Sequence, residues 1–307
     1  MSILVVGTVA FDHVKTPFDE RANILAGAAT YFAIAASFFT QVSIVGIVGN
    51  DFTAEHERIF DARGIDLSGL ERRKDGKSFR WTGEYGYDFN TRTTLDTQLN
   101  VFADFQPRIS PAQQEIPYLF LGNAHPSLQR DVRQQSRARL TAMDTMDFWI
   151  QGTPNELRET LRCVDLLIIN DEEARQLARD PNVIRAAKAI MALGPKRLII
   201  KRGEYGATLF GEDSFFAIPG FPQENVVDPT GAGDTFAGGV MGYLAATGSR
   251  LDEDSLRKAM IYGSVMASFT IEAFGTERLL ALTREEINER YRQFKTMTYF
   301  DGIEHSF

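Results

Sequence analysis

Short apolar runs, each closed by a glycine or a polar residue, recur along this chain. Ile3–Val6 ends at Gly7 and reads as a buried strand. Runs of the same kind stand at Val42–Val48, Tyr118–Leu121, Leu166–Ile169 and Leu198–Ile200. Between several of them apolar residues return at helical spacing, at Ala28–Phe39, Glu55–Ala62, Glu172–Ala178 and Val183–Leu193. Strands alternating with helices need right-handed crossovers, which cover both faces of a mainly parallel sheet. The pattern predicts an α/β fold. No repeat, low-complexity tract or Pro/Gly-rich linker divides the chain, so residues 1–307 read as one domain.

One segment follows a different period. From Phe79 to Phe89 the odd positions are Phe79, Trp81, Gly83, Tyr85, Tyr87 and Phe89, and the even ones are mostly polar. After Asn90 the alternation resumes, with Thr93, Leu95, Thr97, Leu99 and Val101 set against Thr94, Asp96, Gln98 and Asn100. A period of two predicts an antiparallel hairpin standing apart from the parallel core. Its aromatic face needs cover, from a substrate, a second subunit or the edge of a sheet. Near the end, Thr283 and Glu286 form a capping box, and Ile287, Tyr291 and Phe294 predict a helix packed on the core.

Composition narrows the class. A hydrophobic content of 44% supports a substantial core, and no apolar run is long enough to span a membrane. Without a charged-then-apolar leader and with a single cysteine, Cys163, the expectation is a soluble cytoplasmic protein. A net charge of -8 argues against nucleic acid as a partner. It does not argue against ATP, because backbone amides and a metal act locally.

The most specific chemistry lies at residues 226–239, VVDPTGAGDTFAGG. Gly231, Ala232 and Gly233 allow a tight turn whose N–H groups point one way, and the following helix adds its positive end. Asp234 at that helix start is placed to take a proton from an attacking hydroxyl. The plainer alternative is a glycine turn with Asp234 as a first-turn acid. The full string resembles the signature of the ribokinase-like (PfkB) carbohydrate kinase family. It matches at Asp228, Thr230, Gly231, Ala232, Gly233 and Asp234, with Pro229 in the variable place. The resemblance implies Asp234 as catalytic base and the 231–234 amides as anion hole. It also implies a ribokinase-like fold with a small β-sheet lid, formed here mainly by 78–102 plus part of 8–20.

Other positions gain meaning from the same resemblance. Asp12, after Gly7-Thr8, falls where the family's carboxylate accepts substrate hydroxyls, and Asn100 is the second residue we favour for that task. In the family's next motif Gly27 matches, but Tyr31 replaces the Asn that touches the sugar. Gly46, Gly49 and Asp51 fit a further Gly-x-x-Gly-x-Asp run. Asn170 and Glu173 read equally as a helix cap and as the family's Asn-x-x-Glu, which organises Mg²⁺ and its waters. Gly203 and Gly206 match a segment that approaches nucleotide phosphates. Lys201 takes the place of a small hydroxyl residue there, either meeting phosphate or merely ending a strand. Ser264 aligns near adenine, while the usual Arg before Gly275 is missing. Asp228 and Thr230 join the ATP side.

The implied reaction is transfer of the γ-phosphoryl group of ATP to a hydroxyl of a sugar or polyol. Mg²⁺ serves it, and a monovalent cation is left open. The alternatives are a nucleoside kinase of the same fold, or a nucleotide-binding regulator without turnover. A homodimer through the lid is expected.

Overall fold

The computed structural model describes residues 1–212 and 214–299. Thirteen strands run in chain order as β1 (Ile3–Val6), β2 (Ala10–Lys15), β3 (Glu20–Ala26), β4 (Val42–Val48), β5 (Asp66–Arg72), β6 (Phe79–Tyr85), β7 (Arg92–Gln98), β8 (Tyr118–Leu121), β9 (Leu140–Met143), β10 (Leu166–Asn170), β11 (Arg197–Lys201), β12 (Ala207–Phe210) and β13 (Phe215–Ile218). Nine of them form one sheet in the order β13-β12-β11-β10-β9-β8-β1-β4-β5. Every pair from β11 to β5 is parallel, and β12 and β13 add an antiparallel edge.

Alternation along the strands divides the core between the two faces. Ile3 and Val5, Tyr118 and Phe120, and Leu166 and Ile168 face one cluster; Leu4 and Val6, Leu119 and Leu121, and Leu167 and Ile169 face the other. Both faces are buried, which is why these strands read as continuous apolar runs. The helices Ala28–Ala36, Ala232–Thr247 and Glu253–Thr270 cover the first face. The ribokinase-like α/β fold is thus as expected. β5, β9 and β12 carry no continuous apolar run of the expected kind, β9 being interrupted by Thr141; β13, Phe215–Ile218, is apolar throughout but lies at the sheet edge with only Ile218 buried.

The second sheet, β3-β2-β6-β7, is the lid, and it pairs the hairpin β6–β7 in parallel with β2. This small sheet takes in Ala10–Lys15 and β3 beside the hairpin. Its inner apolar cluster joins Val14 and Tyr85 to Phe274 of the body, with Trp81, Phe89 and Val227 packed around them. The aromatic alternation is not buried throughout. β6 stops at Tyr85, and Tyr87, in the turn, is 84% exposed.

Ser78 is the pivot where the lid leaves the body. Its N–H and hydroxyl donate to Asp51 Oδ1 at 2.8 and 2.7 Å, and its hydroxyl accepts from Gly49 N–H at 3.0 Å. Asp51 also pairs with Arg80 at 3.0 Å. The Gly-x-x-Gly-x-Asp run is thus the anchor of the lid's first strand.

Candidate active site

The C-terminal ends of β9, β10 and β11 open toward the N-terminus of the helix Ala232–Thr247, the usual place for a ligand in an open parallel sheet. Gly231 caps that helix at φ 76°, and a Cβ there would lie 2.4 Å from the Tyr31 ring. Only glycine satisfies both constraints. Thr235 N–H closes the first helical bond on Gly231 carbonyl at 2.8 Å. Among the described residues the N–H groups of Gly231, Gly233 and Asp234 have no backbone acceptor, so they remain for a ligand. Ala232 differs from expectation: its N–H already donates to Pro229 carbonyl at 3.2 Å.

Four charged side chains converge on this turn. Lys201, at the end of β11, brings its Nζ to 2.8 Å from where a Cβ on Gly233 would stand, so the ammonium rests against the turn. Its Nζ lies 3.9 Å from Asp144 Oδ2, and both side chains are largely buried. Asp144 follows β9, where its Oδ1 accepts from Thr145 N–H at 2.6 Å. Glu173 Oε2 accepts from Asn170 N–H, and Asn170 Oδ1 accepts from Glu173 N–H, both at 2.8 Å. The capping box is therefore real, and it aims a buried carboxylate at the site.

Burial and mutual repulsion load these groups with protons. Burial first, then the Asp144 charge, pushes Asp234 up to about 7 against the pull of Lys201 and Arg92. The same two causes push Glu173 up to about 8. Burial disfavours the Lys201 ammonium, yet Asp144, Glu173 and Asp234 together hold its pKa above the ordinary lysine value. A base held near neutrality is suited to accept a proton and release it.

The acceptor side is built by β2, the helix Ala28–Ala36 and the lid. Asp12 lies in β2 just before a bulge and is buried. Burial, with Asp228 and Asp234 nearby, raises its pKa well above the ordinary range. Tyr31 is 1% exposed; burial and the charges of Asp228 and Asp12 raise its phenol well above the usual value. Gly27 caps the helix at φ 102°, where a Cβ would fall 2.4 Å from Thr8 carbonyl. From the lid, Tyr85 accepts a hydrogen bond from Thr230 Oγ1 at 3.2 Å.

The remaining expected residues are placed as follows. Asp228 accepts from Thr230 N–H at 2.9 Å and Gly275 N–H at 3.3 Å, tying two loops together. Asn100 stands apart from Asp12: its amide donates to Ser78 carbonyl at 2.9 Å and so pins the lid's return at the pivot. Gly206 packs against β13, where a Cβ would lie 2.0 Å from Ile218 carbonyl. Gly203 opens a short 3₁₀ turn beside Asn90 of the lid. Ser264 is buried within the helix Glu253–Thr270.

Asp144, beside Lys201, and Tyr85, beside Thr230, are neighbours of the expected residues that sequence reasoning missed. Asp144 had a usable signal, since it ends a strand just as Asn170 and Lys201 do.

The donor set suits Mg²⁺ that keeps its water. Among the described residues no three His, Cys, Asp or Glu side chains are grouped to cage a metal. Glu173, with one carboxylate oxygen uncommitted and Asp144 repelling it, is a place where a hydrated divalent ion relieves charge. Asp228 commits both oxygens to backbone N–H groups, and we assign no monovalent cation to it.

A family model described as pfkB family carbohydrate kinase matches residues 6–281. The cytidine kinase of Thermococcus kodakarensis is 27% identical over 259 residues, 79% of this chain and 88% of that kinase. The nucleoside kinase of Methanothermobacter thermautotrophicus is 23% identical over 308 residues, 93% of this chain and 94% of that kinase. In fold, the chain is similar to a Burkholderia thailandensis nucleoside kinase solved with inosine, at TM-score 0.76 and 22% identity. That likeness covers 95% of this chain and 98% of the other.

Proposed function

This chain belongs to the pfkB family of carbohydrate kinases, phosphotransferases with an alcohol acceptor, and from that premise we propose its substrate and its catalytic groups. The acceptor is a hydroxyl on the ribose of a nucleoside, and the donor is the γ-phosphoryl group of ATP. One observation carries the assignment of roles. A carboxylate with a pKa near neutrality, Asp234, stands on the turn whose N–H groups are free, with the Lys201 ammonium against it.

Asp234 takes the hydroxyl proton as the oxygen attacks phosphorus. The N–H groups of Gly231, Gly233 and Asp234, with Lys201, bear the charge gathered on the transferred group. Asp12 orients the acceptor's hydroxyls, a task one carboxylate performs for two neighbouring OH groups. Bound through Glu173 and water, Mg²⁺ would offset phosphate charge. The closed lid, sealed by Tyr85, Phe274 and Val227, keeps water from the reaction.

Nucleosides are favoured over free sugars because the relatives spanning most of the chain are named cytidine kinase and nucleoside kinase. A free sugar or polyol is the second reading, supported by the family's description. Purified protein with Mg²⁺ and ATP, offered cytidine, inosine, ribose and fructose in turn, separates the two by ADP release and product mass. Higher kcat/KM on the nucleosides is expected. Preference for ribose or fructose would replace the nucleoside reading, and no turnover of any would overturn the catalytic one.

Dimerisation through the lid is also proposed. Phe18, Tyr87 and Leu95 are exposed on the lid segments, at 71%, 84% and 55%. Sedimentation of the wild type against Leu95→Asp tests it; a monomer in both ends the proposal.

A further inference from the structure

We propose that Trp81 is the specificity-determining residue of the acceptor site: the base of a nucleoside stacks on its indole while Asp12, beside it on the same face of the lid, holds the ribose hydroxyls. The inference deepens the nucleoside reading above and rests on it.

The register of the small sheet puts the two residues side by side. β2 and β6 run parallel with Asp12 opposite Trp81 and Val14 opposite Gly83, so these four share one face. Neighbouring strands lie only about 4.8 Å apart. The face is turned to the body: Val14 and Tyr85 close on Phe274, and Tyr85 meets Thr230 of the anion turn. The carboxylate and the indole therefore look into one space, next to the turn that carries Asp234.

The indole is laid flat by two local devices. A Cβ on Gly83 would fall 2.0 and 2.2 Å from Trp81 Cη2 and Cζ2, so the benzo half of the ring lies on bare backbone that a side chain would deny it. The other half is fixed by an irregularity of β7. Thr82 pairs with Asp96, yet Gly83 pairs with Thr94, so Leu95 is the extra residue of a bulge and stands 55% exposed. The bulge brings Thr94 to the inner face in place of Leu95, and Thr94 Oγ1 accepts from Trp81 Nε1 at 3.2 Å. A ring with glycine beneath it and a hydroxyl at its edge is already ordered before a ligand arrives.

The same ring is not absorbed by the core. Trp81 borders the apolar cluster of Val14, Tyr85 and Phe274 but stays partly exposed, and it reaches toward β7, whose residues are all exposed. Among the described residues no other aromatic ring pairs with it. The Arg92 guanidinium stands 5.7 Å from the ring centre, well outside the packing contact of about 3.5–4.0 Å. What a rigid, half-buried indole beside a hydroxyl-holding carboxylate fits is a flat heteroaromatic ring joined to a polyol. A nucleoside carries its hydroxyls and its base on two sides of one furanose; a free sugar has nothing to lay on Trp81. Stacking is indifferent to the identity of the base, so pyrimidine and purine nucleosides both qualify.

The test uses the two tryptophans of the chain, Trp81 and Trp149. In Trp149→Phe the only indole is Trp81. Cytidine and inosine, titrated into that variant with Mg²⁺ and ADP, should quench its fluorescence, and ribose should leave it unchanged. Trp81→Phe, which keeps only Trp149, should show no quenching. Trp81→Leu, which retains apolar bulk, should raise the nucleoside KM by about 5- to 150-fold, the equivalent of roughly 1–3 kcal/mol for one base–aromatic stack. Its kcat, KM for ATP and melting temperature should stay near wild type, and Trp81→Phe should recover most of the loss. Thr94→Val, which frees the edge of the indole, should raise KM less than Trp81→Leu. Unchanged Trp81 fluorescence on saturation with a nucleoside that the wild type phosphorylates overturns the proposal and leaves the nucleoside reading intact. So does a nucleoside KM for Trp81→Leu within about threefold of wild type, and a lower kcat with that KM unchanged would assign Trp81 to lid closure alone. Turnover of ribose or fructose but of neither nucleoside overturns both.

Discussion

Lys201→Met removes the only ammonium that, among the described residues, lies within the group formed by Asp144, Glu173 and Asp234. The Nζ stands 3.9 Å from Asp144 Oδ2, and the two side chains are 16% and 10% exposed. At an effective dielectric of about 20, charges at that separation attract by roughly 4 kcal/mol before desolvation is counted. Removing one member of a buried pair costs about 3–5 kcal/mol, because the other is left uncompensated.

The cost depends on pH with a defined sign. Asp234 and Glu173 already titrate at about 7 and about 8, far above their unfolded values of 3.8 and 4.5, and Lys201 lowers both. Groups with raised native pKa destabilise the fold as pH climbs from the unfolded value through the native one. Without Lys201 those native values rise further, so the variant loses more stability above about pH 8 than it does near pH 5.5, where the acids hold protons. Urea unfolding without Mg²⁺ or nucleotide, at about pH 5.5 and about pH 8.5, measures it. We expect a loss of about 3–5 kcal/mol at the higher pH and less than half of that at the lower. An equal loss at both would show that the carboxylates do not depend on this ammonium.

Three further outcomes follow from the same geometry. Asp234→Asn should lower kcat by ~10²–10⁴-fold with nucleotide affinity kept, and wild-type kcat/KM should climb with pH to a plateau above about 7, the pKa of the base; a flat profile removes Asp234 from proton transfer. Glu173→Gln should raise the Mg²⁺ needed for half-maximal rate while the amide oxygen still accepts from Asn170 N–H; a lower melting temperature with unchanged Mg²⁺ dependence would leave only the cap. Trp81→Ala should raise the acceptor KM or the ATP hydrolysed per product, since it takes a large aromatic from the apolar cluster that joins the lid to the body; no change in either would detach the lid from catalysis.

The parallel sheet was legible because both of its faces are buried, so its central strands are unbroken apolar runs. The same rule explains what was hidden. β9 carries Thr141 inside Leu140–Met143, and β12 carries Thr208 near an antiparallel edge where a polar position is tolerated. In the site, Asp234 and Gly231 were legible because backbone geometry demands them locally. Asp144 and Tyr85 were not, because each meets a partner distant in sequence, Lys201 and Thr230. Asn100 shows the converse: the alternation was carried through it to Val101, but β7 ends at Gln98 and Asn100 opens a 3₁₀ turn at a positive φ of 50°, its amide donating to Ser78 carbonyl. Tyr31 illustrates a coupled departure, since its ring occupies the space that a Cβ on Gly231 would need.

A chain of net charge -8 that gathers Asp12, Asp144, Glu173, Asp228 and Asp234 around two cations is at first sight a poor host for a polyphosphate. Protons resolve part of the conflict, because near pH 7 a carboxylate titrating at about 8 is mostly neutral and one titrating at about 7 is about half so. The divalent ion resolves the remainder, and the two are linked. A cation held through Glu173 needs the carboxylate, so binding near pH 7.5 must expel a proton from a group whose pKa lies at about 8. Apparent Mg²⁺ affinity should therefore rise with pH through that value and level off above it. Calorimetric titration of Mg²⁺ into the protein with ADP, in two buffers of different ionisation enthalpy, reads the released proton directly. Glu173→Gln should abolish the buffer dependence. A wild-type binding heat that does not change with buffer would mean that Glu173 is already ionised, and the repulsion by Asp144 would then lack the consequence assigned to it.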